Sequence, residues 1–285
     1  MSLLGARHPV MQAPMAHVQP PALAAAVADA GGLGTVAGAA LSVDELRTAL
    51  RAMRDATDGV WGVNVFAPPY LREGALTAVI EERPRFLSFT FGMLDPAPLQ
   101  AAGIAVIGTA TTGEEAAALA AAGVDAVVAQ GAEAGGHRGT FLGSFEAALA
   151  PLDELLESID IPAPVIAAGA VVDASDVRRV HALGASGVSV GTAFLFTREC
   201  AVPREHLEAL RRYDTVVTPA YTGRHMRAAR TPVLEDLMRE SPLPFPEQRA
   251  VSAKRGPLYM GGTGARRARE QSAAELVAEL ARGFA

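Results

Sequence analysis

The sequence predicts an α/β fold, a TIM (β/α)8 barrel with a small, mostly helical insertion near the C-terminus. One phrase recurs in it, an Ala-rich helix end followed by a glycine and then a short apolar run, as in "ADAGGLGTVAG" from Ala28 and "HALGASGVSVGTA" from His181. Glycine after a helix accepts the left-handed conformation that closes the helix. Apolar runs without polar alternation are typical of parallel strands buried on both faces. Eight such runs alternate with helical patterns, which favours a closed barrel over an open doubly wound sheet, the competing architecture.

The elements follow in order along the chain. The eight predicted strands are 9–13, 33–37, 60–66, 86–91, 104–109, 125–130, 164–168 and 187–191. The helical patterns between them include Pro21–Ala30, Val43–Ala56, Gly113–Ala122 and Ala174–Leu183. Ser42 and Asp173 precede two of these helices, and both residue types cap a helix N-terminus well.

The pattern changes after Val202. Residues 213–262 are rich in Pro and Arg and show no regular strand, although helices are predicted at 203–212 and 232–240. We expect 1–205 to form the barrel and 206–269 to form a small helical insertion beside the barrel mouth. The final helix, within 270–285, begins at a Ser272 cap with Glu275 three residues on, and we expect it to close the barrel.

Composition excludes several classes of protein. The net charge is −6 with both signs interspersed, which does not indicate a nucleic-acid partner. No apolar run reaches membrane-spanning length without Gly, Pro or charge, and the apolar stretch at the N-terminus is too short for a signal peptide. A single cysteine, Cys200, fits a reducing compartment, so we expect a cytoplasmic protein, and we interpret Cys200 as a packing residue. No His, Cys and Asp cluster has metal-ligand spacing.

In a TIM barrel the active site gathers at the carboxyl ends of the strands. "AAGAV" and "VGTAF" end the seventh and eighth strands, where backbone N–H groups of Gly169, Ala170, Gly191 and Thr192 are placed to hold a phosphate, with the Thr192 hydroxyl as a further donor. Glycines that merely turn the chain are the plainer alternative. The other residues predicted at this edge are uncharged and suit a flat heteroaromatic ring such as that of flavin mononucleotide (FMN): Ala13, Pro14, Met15, Asn64 and Thr109.

The segment "QGAEAGGHRG" follows the sixth strand and holds His137 among glycines that let backbone approach a ligand closely. A neutral imidazole can take a proton from an acidic carbon, so His137 is the candidate acid/base. His17, after the first strand, is a rival. A loop histidine that only bonds to backbone is the alternative without function, and Glu133 and Arg138 beside it are equally open to a structural interpretation.

An ordered set of segments resembles the nitronate monooxygenases, formerly called 2-nitropropane dioxygenases. The set comprises "QAPMA", "GGLGTVAG", "GVNVF", "QGAEAGGHRGTF", "AAGAV" and "GTAFL". The resemblance covers about residues 8–200, with weaker echoes in "YTGRHMRAAR" and the final helix, and "EAGGHRG" is its most specific part.

This resemblance implies an enzyme that is a TIM barrel with bound FMN and a small helical domain over the site. It implies oxidation of alkyl nitronates, and in some members of neutral nitroalkanes, by O2 to a carbonyl compound and nitrite. His137 would then remove the α-proton, while Gln130 and Gly136 would lie beside the flavin. The chain departs from many relatives at Thr109, where a basic residue is common, and at Ser189 and Val190, where Gln-Met is common.

Two alternatives stay open at this point. One is an NAD(P)H-dependent flavin reductase acting on a quinone or an enoyl thioester, because such barrels share a glycine-rich His loop. The other is a barrel without flavin that binds a sugar phosphate, against which the scarcity of charged residues at the strand ends argues. A small-molecule substrate and O2 as co-substrate are the partners that we expect.

Overall fold

A computed structural model describes residues 3–285 of the chain, so Met1 and Ser2 of the predicted barrel domain lie outside it. Its eleven strands are β1 (Val10–Gln12), β2 (Gly34–Ala37), β3 (Trp61–Phe66), β4 (Phe86–Thr90), β5 (Ala105–Ala110), β6 (Ala126–Gln130), β7 (Gly136–His137), β8 (Val165–Ala168), β9 (Gly187–Val190), β10 (Thr215–Thr218) and β11 (Met226–Ala229). Eight of them form a parallel sheet, and β7, β10 and β11 form a second, antiparallel sheet.

The parallel sheet is a TIM barrel, as predicted. Its strand order is β1-β9-β8-β6-β5-β4-β3-β2, and a parallel bridge between Met11 and Leu33 joins the two ends of that order. The side chain of Gln12 strengthens this seam, because its Oε1 accepts a hydrogen bond from Thr35 N at 3.2 Å. All eight predicted strands are confirmed, each to within one residue at either end.

Twelve α-helices accompany the strands in the described residues. They are α1 (Pro21–Asp29), α2 (Val43–Ala56), α3 (Ala75–Glu82), α4 (Ala97–Ala101), α5 (Gly113–Ala121), α6 (Leu152–Glu157), α7 (Ala174–Ala182), α8 (Thr192–Leu195), α9 (Arg204–Arg212), α10 (Pro232–Leu237), α11 (Glu247–Ser252) and α12 (Ala273–Ala281). The predicted caps are confirmed at Ser42, Asp173 and Ser272, whose side chains accept backbone N–H groups of the first turn. The final helix, α12, packs against both α1 and α7.

Apolar side chains fill the interior of the barrel towards the amino ends of its strands. The end of the barrel where the strands have their carboxyl ends is therefore the place for a site. Apolar side chains from several strands meet in the filled interior, among them Met11, Phe86, Ile107 and Ile166, and Leu3 packs with them from the N-terminal segment. Further apolar clusters lie between the barrel and its helices. The carboxyl ends of the strands therefore carry the polar and glycine-rich residues, in agreement with the rule for this fold.

The predicted absence of a strand in 213–262 is wrong. β10 and β11 pair antiparallel, and β11 pairs in turn with β7, so that Met226 lies opposite His137. The prediction failed because this sheet joins short segments that are distant in sequence, and such pairing leaves no local period. Helical pieces are present as well, in α9, α10, α11 and a short 3-10 helix at Thr263–Arg267, although α10 ends at Leu237 rather than at 240. The division at 206–269 stays a prediction.

None of the helices within residues 3–285 is long and apolar enough to cross a membrane. In the same residues no group of three or more His, Cys, Asp or Glu side chains is arranged to hold a metal ion.

Candidate active site

Glycines bring three loops into contact at the carboxyl ends of β6, β8 and β9. A Cβ added at Gly135 would lie 2.6 Å from backbone atoms of Gly261 and Gly262, so the two backbones pass directly against each other. Thr263 N donates to Glu133 O at 3.1 Å and fixes that contact. The segment 261–264, which the sequence analysis does not single out, is therefore part of the same rim.

The predicted phosphate residues form a group of free donors on this rim. Within residues 3–285, the backbone N–H groups of Gly169, Ala170, Gly191 and Thr192 donate to no other group. The Thr192 hydroxyl oxygen accepts from Gly262 N at 2.9 Å, which leaves the hydroxyl proton free to donate outward. Gly169 has φ +138° and Ala170 has φ +51°, so the chain turns sharply where these two N–H groups are left free. This donor set suits an anion such as a phosphate, and no side-chain cation is needed to complete it.

The end of the first strand lies beside this group. A Cβ at Gly191 would be 3.4 Å from the Cβ of Ala13 and 3.8 Å from the Sδ of Met15. Ala13, Pro14 and Met15 are half-buried, uncharged and without regular structure. They provide an apolar surface next to the free backbone donors, which suits an aromatic ring attached to a phosphate.

The polar residues that were predicted at the other strand ends are bonded to neighbouring strands and loops. Asn64 Nδ2 donates to Ser88 Oγ at 3.1 Å, and Thr109 Oγ1 lies 3.4 Å from Thr90 Oγ1. Gln130 Nε2 donates to His137 O at 3.0 Å while its Oε1 accepts from Gly139 N at 2.8 Å. The side-chain amide of Gln130 therefore holds the histidine loop, and both its ends are occupied by that loop.

Arg138 and Glu133 also hold the loop. Arg138 is 1% exposed and donates to the carbonyl oxygens of Gln130, Gly131 and Ala148 at 2.6–2.8 Å. Burial lowers the pKa of Arg138 to about 10, and the charge of Arg227 adds to this effect. Glu133 Oε2 accepts from Leu152 N at 3.1 Å. The structural interpretation of both residues is the one that these contacts support.

His137 lies on β7, where pairing with β11 fixes its backbone. Its Nε2 lies 3.1 Å from the Oγ1 of Thr222, a fully buried residue. The Thr222 hydroxyl donates to Arg224 O at 2.7 Å, so it can only accept from the ring. Nε2 then carries the proton of the neutral ring, and Nδ1 is left with its lone pair. One hydroxyl group thus selects the tautomer.

The surroundings of His137 keep the ring neutral. Its pKa is lowered from 6.5 to about 3, first by burial and then by the charges of Arg224 and Arg249. The imidazole is therefore unprotonated at every pH near neutrality. A ring in that state accepts protons rather than donating them.

Aromatic side chains that the sequence did not single out form a wall around the ring. Phe91 and Phe245 stand edge to face with His137, at centroid distances of 5.7 and 5.5 Å. Phe66 and Tyr70 extend this wall through their contacts with the same two rings. The wall combines loops after β3 and β4 with the inserted region, so neither sequence segment alone indicates it.

The rival titratable residues stand in other environments. His17 is exposed, in a turn before α1 with φ +70°. Cys200 is half-buried against the apolar core and its thiol donates to Val18 O at 3.2 Å. Burial raises the pKa of that thiol to about 11, which makes it a poor nucleophile and agrees with its interpretation as a packing residue.

Comparison with known proteins gives a consistent picture. A family model described as nitronate monooxygenase matches residues 1–73 and 70–283. The chain is similar to a nitronate monooxygenase of Paraburkholderia phytofirmans, at 35% identity over 99% of this chain and 93% of that protein. It is also similar to a nitronate monooxygenase of Pseudomonas aeruginosa, at 36% identity over 98% and 96%.

Solved structures with the same architecture include two proteins of related sequence. A nitroalkane oxidase from Streptomyces ansochromogenes superposes with a TM-score of 0.91 at 33% identity, covering 98% of this chain and 97% of its own. FabK from Thermotoga maritima superposes with a TM-score of 0.83 at 29% identity, covering 99% and 94%.

Proposed function

The chain belongs to the nitronate monooxygenase family, and from that premise we propose that it is an FMN-dependent oxidoreductase that converts alkyl nitronates, and neutral nitroalkanes, with O2 into a carbonyl compound and nitrite. The observation that carries this proposal is the pairing of two features at one barrel mouth. One is a set of free backbone donors for a phosphate, and the other is a neutral imidazole whose tautomer is set by Thr222.

The cofactor is a flavin, in keeping with the family, and the donor set favours FMN. Four backbone N–H groups and one hydroxyl match the oxygen atoms of a single terminal phosphate. Ala13, Pro14 and Met15 would face the ring, and Asn64, Thr109, Gln130 and Gly136 would border it. When bound, the flavin supplies an acceptor for two electrons from the substrate, which O2 then takes up.

His137 acts on the neutral substrate. Its Nδ1 takes the α-proton of a nitroalkane while Thr222 holds Nε2–H. As the proton leaves, negative charge develops on the substrate, and that charge stabilises the imidazolium and raises its pKa. Alkyl nitronates have already lost this proton, so their oxidation does not need the base. The aromatic wall excludes water from the same space, which strengthens the attraction between these charges.

The test is direct and separates the alternatives. The purified protein is examined for a flavin spectrum, mixed with an alkyl nitronate in air, and assayed for nitrite. Absence of both nitrite and flavin reduction would overturn the reaction, and a colourless protein that takes up no added FMN would overturn the cofactor. Anaerobic bleaching by NAD(P)H but not by nitronate would select the reductase. A barrel that binds a sugar phosphate and no flavin would show no visible absorption.

A further inference from the structure

Arg224 is a half-buried cation beside His137. It lies between β10 and β11, and its guanidinium carbon stacks 3.9 Å from the centroid of the Phe91 ring. Nη2 donates to the carbonyl oxygen of Thr140. The Nε–H of Arg224 is buried and has no hydrogen-bond partner among the described residues. An unpaired donor on a buried charge costs free energy unless a ligand supplies the acceptor.

The charge of Arg224 also lacks a counter-ion. Within residues 3–285, no carboxylate oxygen lies within 4.0 Å of its guanidinium nitrogens. The buried carboxylate of Glu115, whose charge acts on Arg224, is occupied by four donors from Thr111, Phe141 and Leu142. The phenol of Tyr70 also acts on Arg224, but a phenol does not balance a full positive charge. Charges removed from water are normally paired, so the half-buried guanidinium of Arg224 still lacks an anionic partner.

Arg224 and His137 face the same space. Both contact the ring of Phe91, because Arg224 lies over its face and the imidazole of His137 stands nearly perpendicular to it. Thr222 connects them, since its Oγ1 bonds to the imidazole and also to the carbonyl oxygen of Arg224. The charge of Arg224 reaches the ring, where it helps to lower the pKa of His137. An anion bound at Arg224 would therefore lie beside the base.

Arg138 is the other buried arginine with an unpaired Nε, and its position is different. It is 1% exposed, and three carbonyl oxygens surround its guanidinium. That side chain is sealed beneath the loop, whereas Arg224 faces the aromatic wall at the mouth. The fifth strand contributes an uncharged residue, Thr109, at the same mouth, so the positive charge near His137 comes from the inserted region.

On the basis of the proposed function, we propose that Arg224 binds the planar anionic NO2 group of the nitronate, with its Nε–H as the donor left free for that group. Guanidinium groups match planar oxyanions by presenting parallel N–H donors. Phe91 holds the guanidinium flat, and Thr222 sets its distance from the base. The same contact attracts nitronates, which carry a full negative charge, more strongly than neutral nitroalkanes.

The probe for this site is nitrate, a planar oxyanion that the enzyme does not turn over in the proposed reaction. Nitrate is titrated into the FMN-loaded protein by calorimetry, for the wild type and for Arg224→Gln. Loss of one charge-assisted contact, roughly 1.5–3 kcal/mol, corresponds to a weakening of about 10- to 100-fold. Arg211→Gln is the matched control, because Arg211 also lies over a phenylalanine ring, that of Phe196, and donates to carbonyl oxygens. The nitrate affinity of the Arg211→Gln variant should equal that of the wild type.

Arg224→Lys keeps the inference testable if the glutamine variant does not fold, as judged by circular dichroism. It retains the charge but lacks Nε, so nitrate should bind more weakly than to the wild type. Wild-type affinity in a folded Arg224 variant, or no nitrate binding by the wild type, would overturn the inference. Nitrite release from a nitronate is measured on the same wild-type sample. If nitrate binding depends on Arg224 but no nitrite is released, the anion site is retained and the proposed reaction is overturned. If nitrite is released but nitrate binding does not depend on Arg224, only the anion site is overturned.

Discussion

The two sides of the barrel mouth perform their proposed tasks with different parts of the chain. On the β8 and β9 side, the donors are backbone N–H groups between Gly169 and Thr192, with a single hydroxyl added. On the side of the inserted sheet, the working groups are side chains, those of His137, Thr222 and Arg224. The first side recognises a group through the shape of the main chain, and the second supplies a base and a charge.

This difference teaches how each side tolerates change. Backbone donors survive most side-chain substitutions but fail when the main chain moves. Side-chain groups fail when one atom is replaced, although the fold around them remains. Substitutions on the β8 and β9 side should therefore alter cofactor affinity, and those on the inserted sheet should alter turnover.

Replacement of the base should have the largest effect. His137→Ala is expected to lower turnover of neutral nitroalkanes by about 10²- to 10⁴-fold, the usual contribution of a general base. FMN content and turnover of preformed nitronates should be unchanged, because neither needs the proton acceptor. Nitrite release from the two substrates measures this. A variant that oxidises nitroalkanes at the wild-type rate would show that His137 is not the base.

Distortion of the anion-binding side should have the next largest effect. That effect should fall on FMN binding rather than on turnover. Gly169→Ala places a Cβ at φ +138°, where the added atom would lie 3.4 Å from Ala134 N. If one N–H contact to the phosphate is lost, roughly 1.5–3 kcal/mol, FMN affinity falls about 10- to 100-fold.

Gly184→Ala is the control for that substitution. Gly184 also has a positive φ, of +94°, but nothing lies within 4 Å of its added Cβ, and it follows α7 away from the mouth. It should reduce stability without changing the FMN dissociation constant measured by fluorescence. An equal loss of FMN affinity in both variants would contradict the comparison.

Loss of the hydrogen bond between His137 and Thr222, which selects the tautomer, should lower turnover less than loss of His137 itself. Thr222→Val removes the acceptor for Nε2–H, which is worth about 1 kcal/mol and corresponds to a roughly fivefold loss of kcat for nitroalkanes. Thr222→Ser should keep the wild-type kcat for nitroalkanes because serine retains the hydroxyl group. The kcat for nitronates should stay unchanged in both variants. A parallel fall of kcat for the two substrates would assign Thr222 a purely structural role.

Acidification should show the smallest effect, on stability. The pKa of His137 is about 3 in the folded protein and near 6.5 when unfolded, so below pH 6.5 the unfolded chain takes up a proton that the folded chain refuses. The stability that His137 contributes is present above pH 6.5 and is lost as the pH falls towards 3. Between pH 6.5 and 5.5 the loss is about 1 kcal/mol.

Urea unfolding at these two pH values measures that loss. His137→Gln should unfold with a free energy that depends less on pH over the same interval. Because His17, His206 and His225 also have lowered pKa values, only the difference between the two proteins reports on His137. Identical pH dependence in both proteins would contradict the lowered pKa of His137.

The sequence predicted the barrel well because its signals are local. Each strand of the repeat is a short apolar run behind a glycine, and caps such as Ser42 lie next to the helices that they begin. His137 was a candidate for the same reason, since the glycines that mark its loop are its neighbours in sequence.

The partners of His137 were not predicted because they come from distant segments. β7 has two residues, and the "MRAA" of β11 has a composition typical of helices, so neither indicates a strand. The "TVVT" of β10 is rich in β-branched residues and was the one signal that sequence reasoning missed. Arg224 lies in the segment 213–262, which is rich in Arg, but nothing in the sequence places it over Phe91.

The pairing of β7 with β11 has a consequence for the order in which the protein is made. Met226 follows His137 by 89 positions, so a growing chain already contains the backbone donors between Gly169 and Thr192 before the partner strand of His137 exists. Contacts between such distant segments also form late in folding because closing a long loop costs entropy. A newly synthesised molecule is therefore expected to order the proposed phosphate donors before the strand pairing that positions His137 as the proposed base.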